Sequence, residues 1–415
     1  MEVSGAMLRD GIINAANLIS SRRMELNRIN VFPVPDSDTG SNMAVTLGAA
    51  KGQLLRLPES CTAKEAALTA AAAMLRGSRG NSGSILSLIF RGLAKELADR
   101  ETASPADLIR GLACGAALAY RAVAQPAEGT ILTACRESAA DAARLLKRSP
   151  DAGLLEVWDC LQASAAVSLK NSTRRLSALK ETGVVDAGAK GYCLLIEGLG
   201  HVFSGKGILK DDWDEADGAG AFVFMEKNTE SARAAEGIIT YRITFTSENR
   251  LGSRTPESME KALKAFGEQV VVMDTGASLR CQVFSDQPRE VLSFCLSETP
   301  LLDFLAVSHG AYRKVCFQGP DEAWARESEG QNRTLSQSEN TRPRFCTEFS
   351  VLKDAADAGL SEHLKKTLTA SGDSAVIAEG VDLIKCHIHT EAPLSLIPFS
   401  LAGGYLTEIK AERLP

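Results

Sequence analysis

No stretch of this chain reaches about 18 consecutive apolar residues free of charge, so no helix is expected to cross a membrane. The first residues, Met1-Glu2-Val3-Ser4, carry early charge and lack a basic start, an apolar core and a cleavage site, so they do not read as a secretory signal. No Lys/Arg-rich run occurs, and a net charge of −6 over 415 residues argues against a general nucleic-acid binder, which needs a basic face. The ten cysteines are scattered with no dense framework, so in a cytosolic chain they would stay reduced. Cytoplasm is the expected compartment. No Gly-x-x-x-x-Gly-Lys-Ser/Thr string is present, which excludes a P-loop, and the first 200 residues contain no histidine.

What is present is the composition of a soluble globular protein, with 45% apolar and 24% charged residues and a length that suggests two to four domains. Residues 1–205 are rich in Ala and Leu at helical spacing. Ala66 to Leu75, Ile85 to Ala98, Ala106 to Ala122, Thr130 to Leu146 and Leu154 to Val167 read as helices, with almost no strand-like alternation between them. An all-helical domain follows. Residues 206–235 turn to Gly, Asp and Glu and read as a linker. In 236–317 the pattern becomes α+β: strands at Ile238 to Phe245, Gln269 to Met273 and Ser278 to Phe284, with a helix at Pro256 to Phe266. Residues 318–343 are polar and form a second linker. The segment 344–415 then repeats the earlier pattern. Phe345 to Phe349 matches Tyr241 to Phe245, Gly372 to Ile377 matches Gly267 to Val272, and Cys386 to Glu391 matches Cys281 to Asp286. The fold expected is a helical domain followed by two α+β modules related by duplication; two unrelated pieces matching by chance is the alternative.

The chemistry begins at Asn30-Val-Phe-Pro-Val-Pro-Asp-Ser-Asp-Thr-Gly-Ser-Asn-Met43. Asp36 and Asp38 are spaced i, i+2 in a loop stiffened by Pro33 and Pro35 and turned at Gly40. Magnesium takes one or two carboxylates together with phosphate oxygens, and such a loop suits it. Thr39, Gly40, Ser41 and Asn42 offer hydroxyls, an amide and unhindered N–H groups where a helix starts, which suits phosphate. On its own, Asp-x-Asp-x-Gly reads equally well as a capped turn. An EF-hand fits poorly, because Leu47 falls where a Glu is required. Three further polar, Gly-containing loops precede helices: Gly77-Ser-Arg-Gly-Asn-Ser-Gly83, Glu128-Gly-Thr130 and Gly183-Val-Val-Asp-Ala-Gly-Ala-Lys-Gly191. Each alone could be a mere helix–helix turn.

Together, in this order, the four strings resemble the ATP-binding (DhaL-like) domain of the dihydroxyacetone-kinase superfamily, and in detail the kinase subunit of bacterial fatty acid kinase. The resemblance implies an eight-helix antiparallel barrel with ATP and two magnesium ions at one end. Carried over by position, Asp36 and Asp38 look like the catalytic magnesium ligands, with Asn30 where relatives have a third aspartate. Thr39, Gly40, Ser41, Asn42, Arg79, Gly80, Asn81 and Ser82 look like phosphate contacts, and Thr130, Asp186 and Gly188 like further nucleotide-pocket positions. Ser37 stands where the family has Gly, so a positive φ there would be strained.

In the C-terminal half, Phe345 to Phe349, Gly372-Asp-Ser374 and Lys385-Cys-His-Ile-His-Thr390 resemble the fatty acid kinase middle domain, which binds zinc. His387 and His389, i and i+2 on a strand, share one face, and Cys346 on a second strand could reach it. The bland reading is a pair of surface histidines near an ordinary buried cysteine. In the first copy the matching positions are Arg242, Gln282 and Phe284, so only the second copy is expected to bind metal. Against the full family pattern the last C-terminal domain is expected to be lacking, because the sequence stops at Pro415. A homodimer is expected from the resemblance.

The leading function is ATP- and magnesium-dependent transfer of a phosphoryl group to a carboxylate, a fatty acid presented by a separate fatty-acid-binding protein, giving an acyl phosphate. A carboxylate is already nucleophilic, so the absence of an N-terminal histidine fits. Two other readings stay open: a nucleotide-binding regulatory or scaffold protein without transfer, and a kinase of another small carboxylate or hydroxyl compound.

Overall fold

The computed structural model describes residues 1–32, 35, 37–209, 240–248, 255–274, 278–309, 344–353, 360–396 and 404–414. The chain divides into two units, one helical and one built on a sheet. Both expected linkers, 206–235 and 318–343, fall largely outside the described residues.

The helical unit runs α1 (Gly5–Ser21), α2 (Arg23–Arg28), α3 (Thr39–Leu54), α4 (Ala63–Gly77), α5 (Gly80–Glu96), α6 (Pro105–Ala122), α7 (Ile131–Arg148), α8 (Leu154–Arg175), α9 (Ser177–Thr182) and α10 (Ala187–Phe203). Start signals are local. Thr62 and Glu65 form a reciprocal capping box at α4, and Ser104 and Asp107 form another at α6, where Pro105 occupies the first turn. Among the long helices α1, α3, α4, α5, α6, α7, α8 and α10, each packs on the next in that order, and α10 packs back on α1. The faces turned inward carry Ile12, Leu47, Met74, Leu86, Leu132, Leu161 and Leu195, all buried, at the 3.6-residue spacing that the Ala/Leu pattern announces. Two helices begin inside the candidate loops: α3 at Thr39, within the aspartate motif, and α5 at Gly80, within the second glycine loop and ahead of the expected start at Ile85.

The sheet unit contains β1 (Thr240–Glu248), α11 (Pro256–Leu263), β2 (Glu268–Asp274), β3 (Ser278–Ser285), α12 (Pro288–Glu298), β4 (Leu301–His309), β5 (Phe345–Lys353), α13 (Leu360–Ser371), β6 (Asp373–Glu379), β7 (Leu383–Thr390), a 3₁₀ turn (Pro393–Leu396) and β8 (Gly404–Arg413). The strands form one eight-stranded sheet in the order β2-β3-β1-β4-β8-β5-β7-β6. The two expected modules are therefore not separate sheets. They share one, joined where β4 pairs antiparallel with β8. This differs from the sequence reading because pairing between strands a hundred residues apart leaves no local pattern.

The two halves of the sheet mirror each other in order and in register. Tyr241 opposes Ser285 and Phe245 opposes Cys281; Phe345 opposes Thr390 and Phe349 opposes Cys386. The turn chemistry matches as well. Ser285 Oγ donates to Phe266 O at 2.7 Å and accepts from Gln287 N at 3.0 Å, while Thr390 Oγ1 donates to Ser371 O at 2.9 Å and accepts from Ala392 N at 3.1 Å. Even the left-handed residues correspond, Gln269 at φ 51° and Ser374 at φ 56°.

Candidate nucleotide site and candidate metal centre

Asp36 lies outside the described residues. Asp38 is the residue before α3, and its carbonyl accepts from Asn42 N–H at 2.8 Å, but its side chain makes no capping hydrogen bond. The carboxylate is thus not spent on its own helix, which removes the capped-turn reading for Asp38. Ser37, at φ 56°, holds the left-handed conformation that favours glycine. Behind the loop, Thr39 Oγ1 donates to the buried Asn30 Oδ1. Asn27 clasps Ser41 twice, accepting from Ser41 N at 3.1 Å and donating to Ser41 Oγ at 2.9 Å. Asn27 was not singled out from sequence, and nothing local marks it.

The second loop meets the first directly. Thr46 Oγ1, on α3, donates to Asn42 O at 2.7 Å and accepts from Arg79 N at 3.2 Å. Gly80 has φ 59°, and a Cβ there would run into the Asn42 side chain. Asn81 Oδ1 is buried with no hydrogen-bond partner, and Ser82 beside it is half-buried.

The third and fourth loops also meet. Thr130, just before α7, donates from Oγ1 to Ala127 O at 2.9 Å. Its neighbour Glu128 is a hub missed by sequence reading. It accepts from Arg136 at 2.7 and 2.8 Å, from Tyr120 Oη at 2.9 Å and from Thr133 Oγ1 at 2.9 Å. The Arg136 hydrogen bonds outweigh the burial and hold the Glu128 carboxyl below the usual carboxylate range. Asp186 is buried at the start of α10 and accepts from Ala189 N at 2.7 Å. It also faces the N–H groups of Gly188 and, on α7, Ile131. Burial pushes its carboxyl up to about 7 against those three donors. Gly188 leaves room for this arrangement: a Cβ there would come within 3.3 Å of Asp186 Oδ1 and of Ile131. Asp186 thus ties the starts of α7 and α10 together from inside. The two loop pairs are linked in turn where Gly191 of α10 lies against Met43 of α3.

The helix starts differ in how they are capped. Those of α1, α4 and α6 are capped by Ser4, Thr62 and Ser104. Those of α3, α5 and α7, which follow three of the candidate loops, have no side-chain cap, and neither has α8, while α10, after the fourth loop, is capped by Asp186. A missing cap costs about 1 kcal/mol each, and N–H groups without a cap are what an anion needs. With the Asp38 carboxylate and the unpartnered Asn81 oxygen as hard ligands, the donor set fits a magnesium–nucleotide group.

In the sheet unit, Cys346, His387 and His389 each offer one ligand atom, all within 4.8 Å of one another. Ligand atoms around a tetrahedral zinc sit roughly 3.3–3.8 Å apart, so the donor set fits zinc with a small contraction. Cys346 opposes His389 and Glu348 opposes His387 across β5 and β7. His387 Nε2 lies 3.3 Å from His389 Nε2, and Cys346 Sγ lies 3.8 Å from His387 Nδ1. Both histidines are buried, which removes the surface-pair reading. Three charged neighbours went unnoticed in the sequence. Glu348 Oε1 is 3.3 Å from His387 Nδ1, Asp373 Oδ1 is 3.7 Å from His389 Nδ1, and the buried Lys385 Nζ is 3.7 Å from Glu408 Oε2. Burial opposes the Glu348 charge, but the His387 hydrogen bond and charge, with Lys385 and Lys410, hold its carboxyl well below the usual range. Burial, then the charge of His387, lowers His389 to about 4. At the mirrored positions of the first half, Arg242 opposes Phe284 and Thr244 opposes Gln282. That set offers no zinc ligand, and Gln282 Oε1 is left buried without a partner.

Residues 33–201, which span the four loops, match the family model of the DAK2 domain. Residues 342–415, which contain the metal cluster, match the FakA-like middle domain of fatty acid kinase. The chain therefore carries a DAK2 domain. More particularly, it joins that domain to a FakA-like middle domain. Uncharacterized proteins of Staphylococcus aureus strains USA300 and MRSA252 are 30% identical over 304 residues, which cover 71% of this chain and 53% of theirs. The chain thus spans about half the length of these curated relatives. Among solved structures, it is similar to the native dihydroxyacetone kinase of C. freundii at 19% identity and a TM-score of 0.36, covering 47% of this chain and 34% of that one. The same kinase in complex with AMP-PNP and Mg2+ gives a TM-score of 0.37, covering 48% and 34%. No helix among the described residues is long and apolar enough to cross a membrane.

Proposed function

We propose that the helical unit binds ATP with magnesium at the starts of α3, α5, α7 and α10, and passes the γ-phosphoryl group to a carboxylate. The observation that carries this reading is the uncapped state of α3, α5 and α7 beside an Asp38 carboxylate that caps nothing. The match to the DAK2 domain supports it. The closed order of neighbouring long helices supports the eight-helix antiparallel barrel.

Asp38, with Asp36 and Asn30, would hold magnesium, which supplies neutralising charge to the β- and γ-phosphates. The N–H groups at the starts of α3 and α5 orient the phosphates, Gly80 lets backbone approach closely, and Arg79 adds positive charge. Glu128 and Asp186 act from behind the site; they hold the Gly129–Thr130 and Ala187–Gly188 turns in place. Transfer joins an acceptor carboxylate oxygen to the γ-phosphorus, breaks its bond to the bridging oxygen and releases ADP, so no residue needs to deprotonate the acceptor. The match to a fatty acid kinase middle domain favours a fatty acid as that acceptor, brought by a separate fatty-acid-binding protein, and an acyl phosphate as product. The middle domain would hold zinc through Cys346, His387 and His389 and serve dimer or partner contacts.

Calorimetry of ATP binding with magnesium tests the core of this reading. Asp38→Ala is expected to lose measurable binding, and unchanged affinity would sink it. Acyl phosphate formed only with a loaded fatty-acid-binding protein tests the acceptor.

A further inference from the structure

The two histidines of the metal cluster are arranged alike. Each turns Nε2 toward the other, 3.3 Å apart. Each turns Nδ1 toward a carboxylate: His387 toward Glu348 Oε1 at 3.3 Å, and His389 toward Asp373 Oδ1 at 3.7 Å. The Cys346 sulfur, at 3.8 Å from His387 Nδ1, is a more distant partner of that nitrogen than Glu348. Glu348 is fixed by its place, 2% exposed on β5 and paired opposite Lys410 of β8. Asp373 is fixed by an ion pair with Arg344. At that distance Asp373 is an ion-pair neighbour, and the buried His389 Nδ1 has no hydrogen-bond partner.

A neutral imidazole carries one N–H, and the nitrogen bearing it cannot ligate a metal. A carboxylate behind Nδ1 keeps the proton there and leaves the Nε2 lone pair for the ion. We infer that Glu348 and Asp373 are positioning residues that hold both histidines in the Nδ1–H tautomer, so that two Nε2 atoms and the Cys346 sulfur converge on one zinc ion. This rests on reading Cys346, His387 and His389 as a zinc site. Neither carboxylate ligates the metal. Glu348 contributes most, because it is buried, while Asp373 is more than half exposed and contributes less.

The test is metal affinity of the full chain, freed of metal by chelator and titrated with zinc against a chromophoric competitor, then with cobalt for its absorption spectrum. Glu348→Gln keeps an acceptor for the Nδ1 proton but removes the charge, and is expected to weaken zinc binding about tenfold; Glu348→Ala is expected to weaken it up to about 100-fold. Asp373→Asn is expected to weaken it several-fold. In every variant that binds cobalt, the sulfur-to-cobalt absorption band stays, because the ligand set is unchanged. Should Glu348→Ala fail to fold, Glu348→Gln and Asp373→Asn, which keep side-chain shape, decide the matter. Wild-type affinity in both would overturn the positioning role, as would loss of the sulfur band at saturating cobalt. A wild-type chain that takes up neither zinc nor cobalt overturns instead the metal site beneath it.

Discussion

Asp186 offers a test whose magnitude follows from its surroundings. Its carboxyl is buried at the junction of α7 and α10 and pushed from 3.8 to about 7, because burial outweighs the N–H groups of Ala189, Gly188 and Ile131. In the unfolded chain it titrates near its ordinary value. A carboxyl raised on folding is neutral in the native state while already charged in the unfolded state. Its contribution to stability is therefore complete below about pH 4 and is lost as pH rises toward 7. A difference of about 3 units corresponds to roughly 4 kcal/mol, with a slope near 1.4 kcal/mol per pH unit across that window. Asp186→Asn removes the titration. It keeps one oxygen for Ala189 N–H but turns an NH2 toward backbone donors, a cost that does not vary with pH. Urea unfolding of wild type and Asp186→Asn, followed by helical circular dichroism at half-unit steps from pH 4.5 to 8, isolates the site, since every other group titrates in both proteins. The wild-type advantage is expected to shrink by about 3–4 kcal/mol between pH 4.5 and 7.5 and to flatten above that. A difference constant to within about 0.5 kcal/mol over the range would refute the buried, proton-holding assignment.

A capped start and a start at a candidate loop predict different effects on ATP binding. Ser104→Ala removes a cap from α6 and is expected to cost about 1 kcal/mol by thermal unfolding while leaving ATP affinity alone. Gly80→Ala forces a side chain into a left-handed position against Asn42 and is expected to cost about 1–2 kcal/mol and to weaken ATP binding in calorimetry. Lys385→Met, on the buried polar row of β7, leaves Glu348 and Glu408 short of a positive neighbour and is expected to lower stability by about 3 kcal/mol in urea unfolding.

The helical unit was largely legible because its chemistry is local. Ala/Leu spacing sets the helices, Thr62 and Ser104 announce two of their starts, and the four loop strings lie immediately before helices. What was not legible depends on approach between distant residues. Glu128 reads as an ordinary charged residue until Tyr120, Thr133 and Arg136 gather round it. Asp186 reads as a nucleotide contact, yet its partners are the backbone of its own helix and of α7. In the sheet unit, residues 288–309 drew no assignment, although Pro288 opens α12 and Leu301–His309 forms β4. The matching stretch of the second half has a 3₁₀ turn in place of α12, so the repeat does not extend to this element.

The sheet also explains why Glu348 escaped notice and why the first half has no metal cluster. Along β5, Cys346 and Glu348 are two residues apart and share a face; along β7, Lys385, His387 and His389 do the same. The period-2 rule places all five on one face, but that face is usually the solvated one, and only burial of every residue of β7 makes its charges consequential. A buried charge must be paired, so Lys385 needs Glu408, and Glu348 needs His387 and the two lysines. In the first half the equivalent positions hold Arg242, Thr244, Gln282 and Phe284, of which only Gln282 is fully buried. One backbone register thus carries two different side-chain solutions. Where the face is buried, carboxylates and cations accompany the histidines and cysteine; where it is half exposed, a single arginine is tolerated and no ligand set is assembled. Exchanging only Arg242, Gln282 and Phe284 for Cys, His and His would then not create a second zinc site of equal affinity, because Thr244 supplies no carboxylate behind the new histidine at 282. Zinc titration of that triple variant would show one tight site, and two equal tight sites would refute the argument.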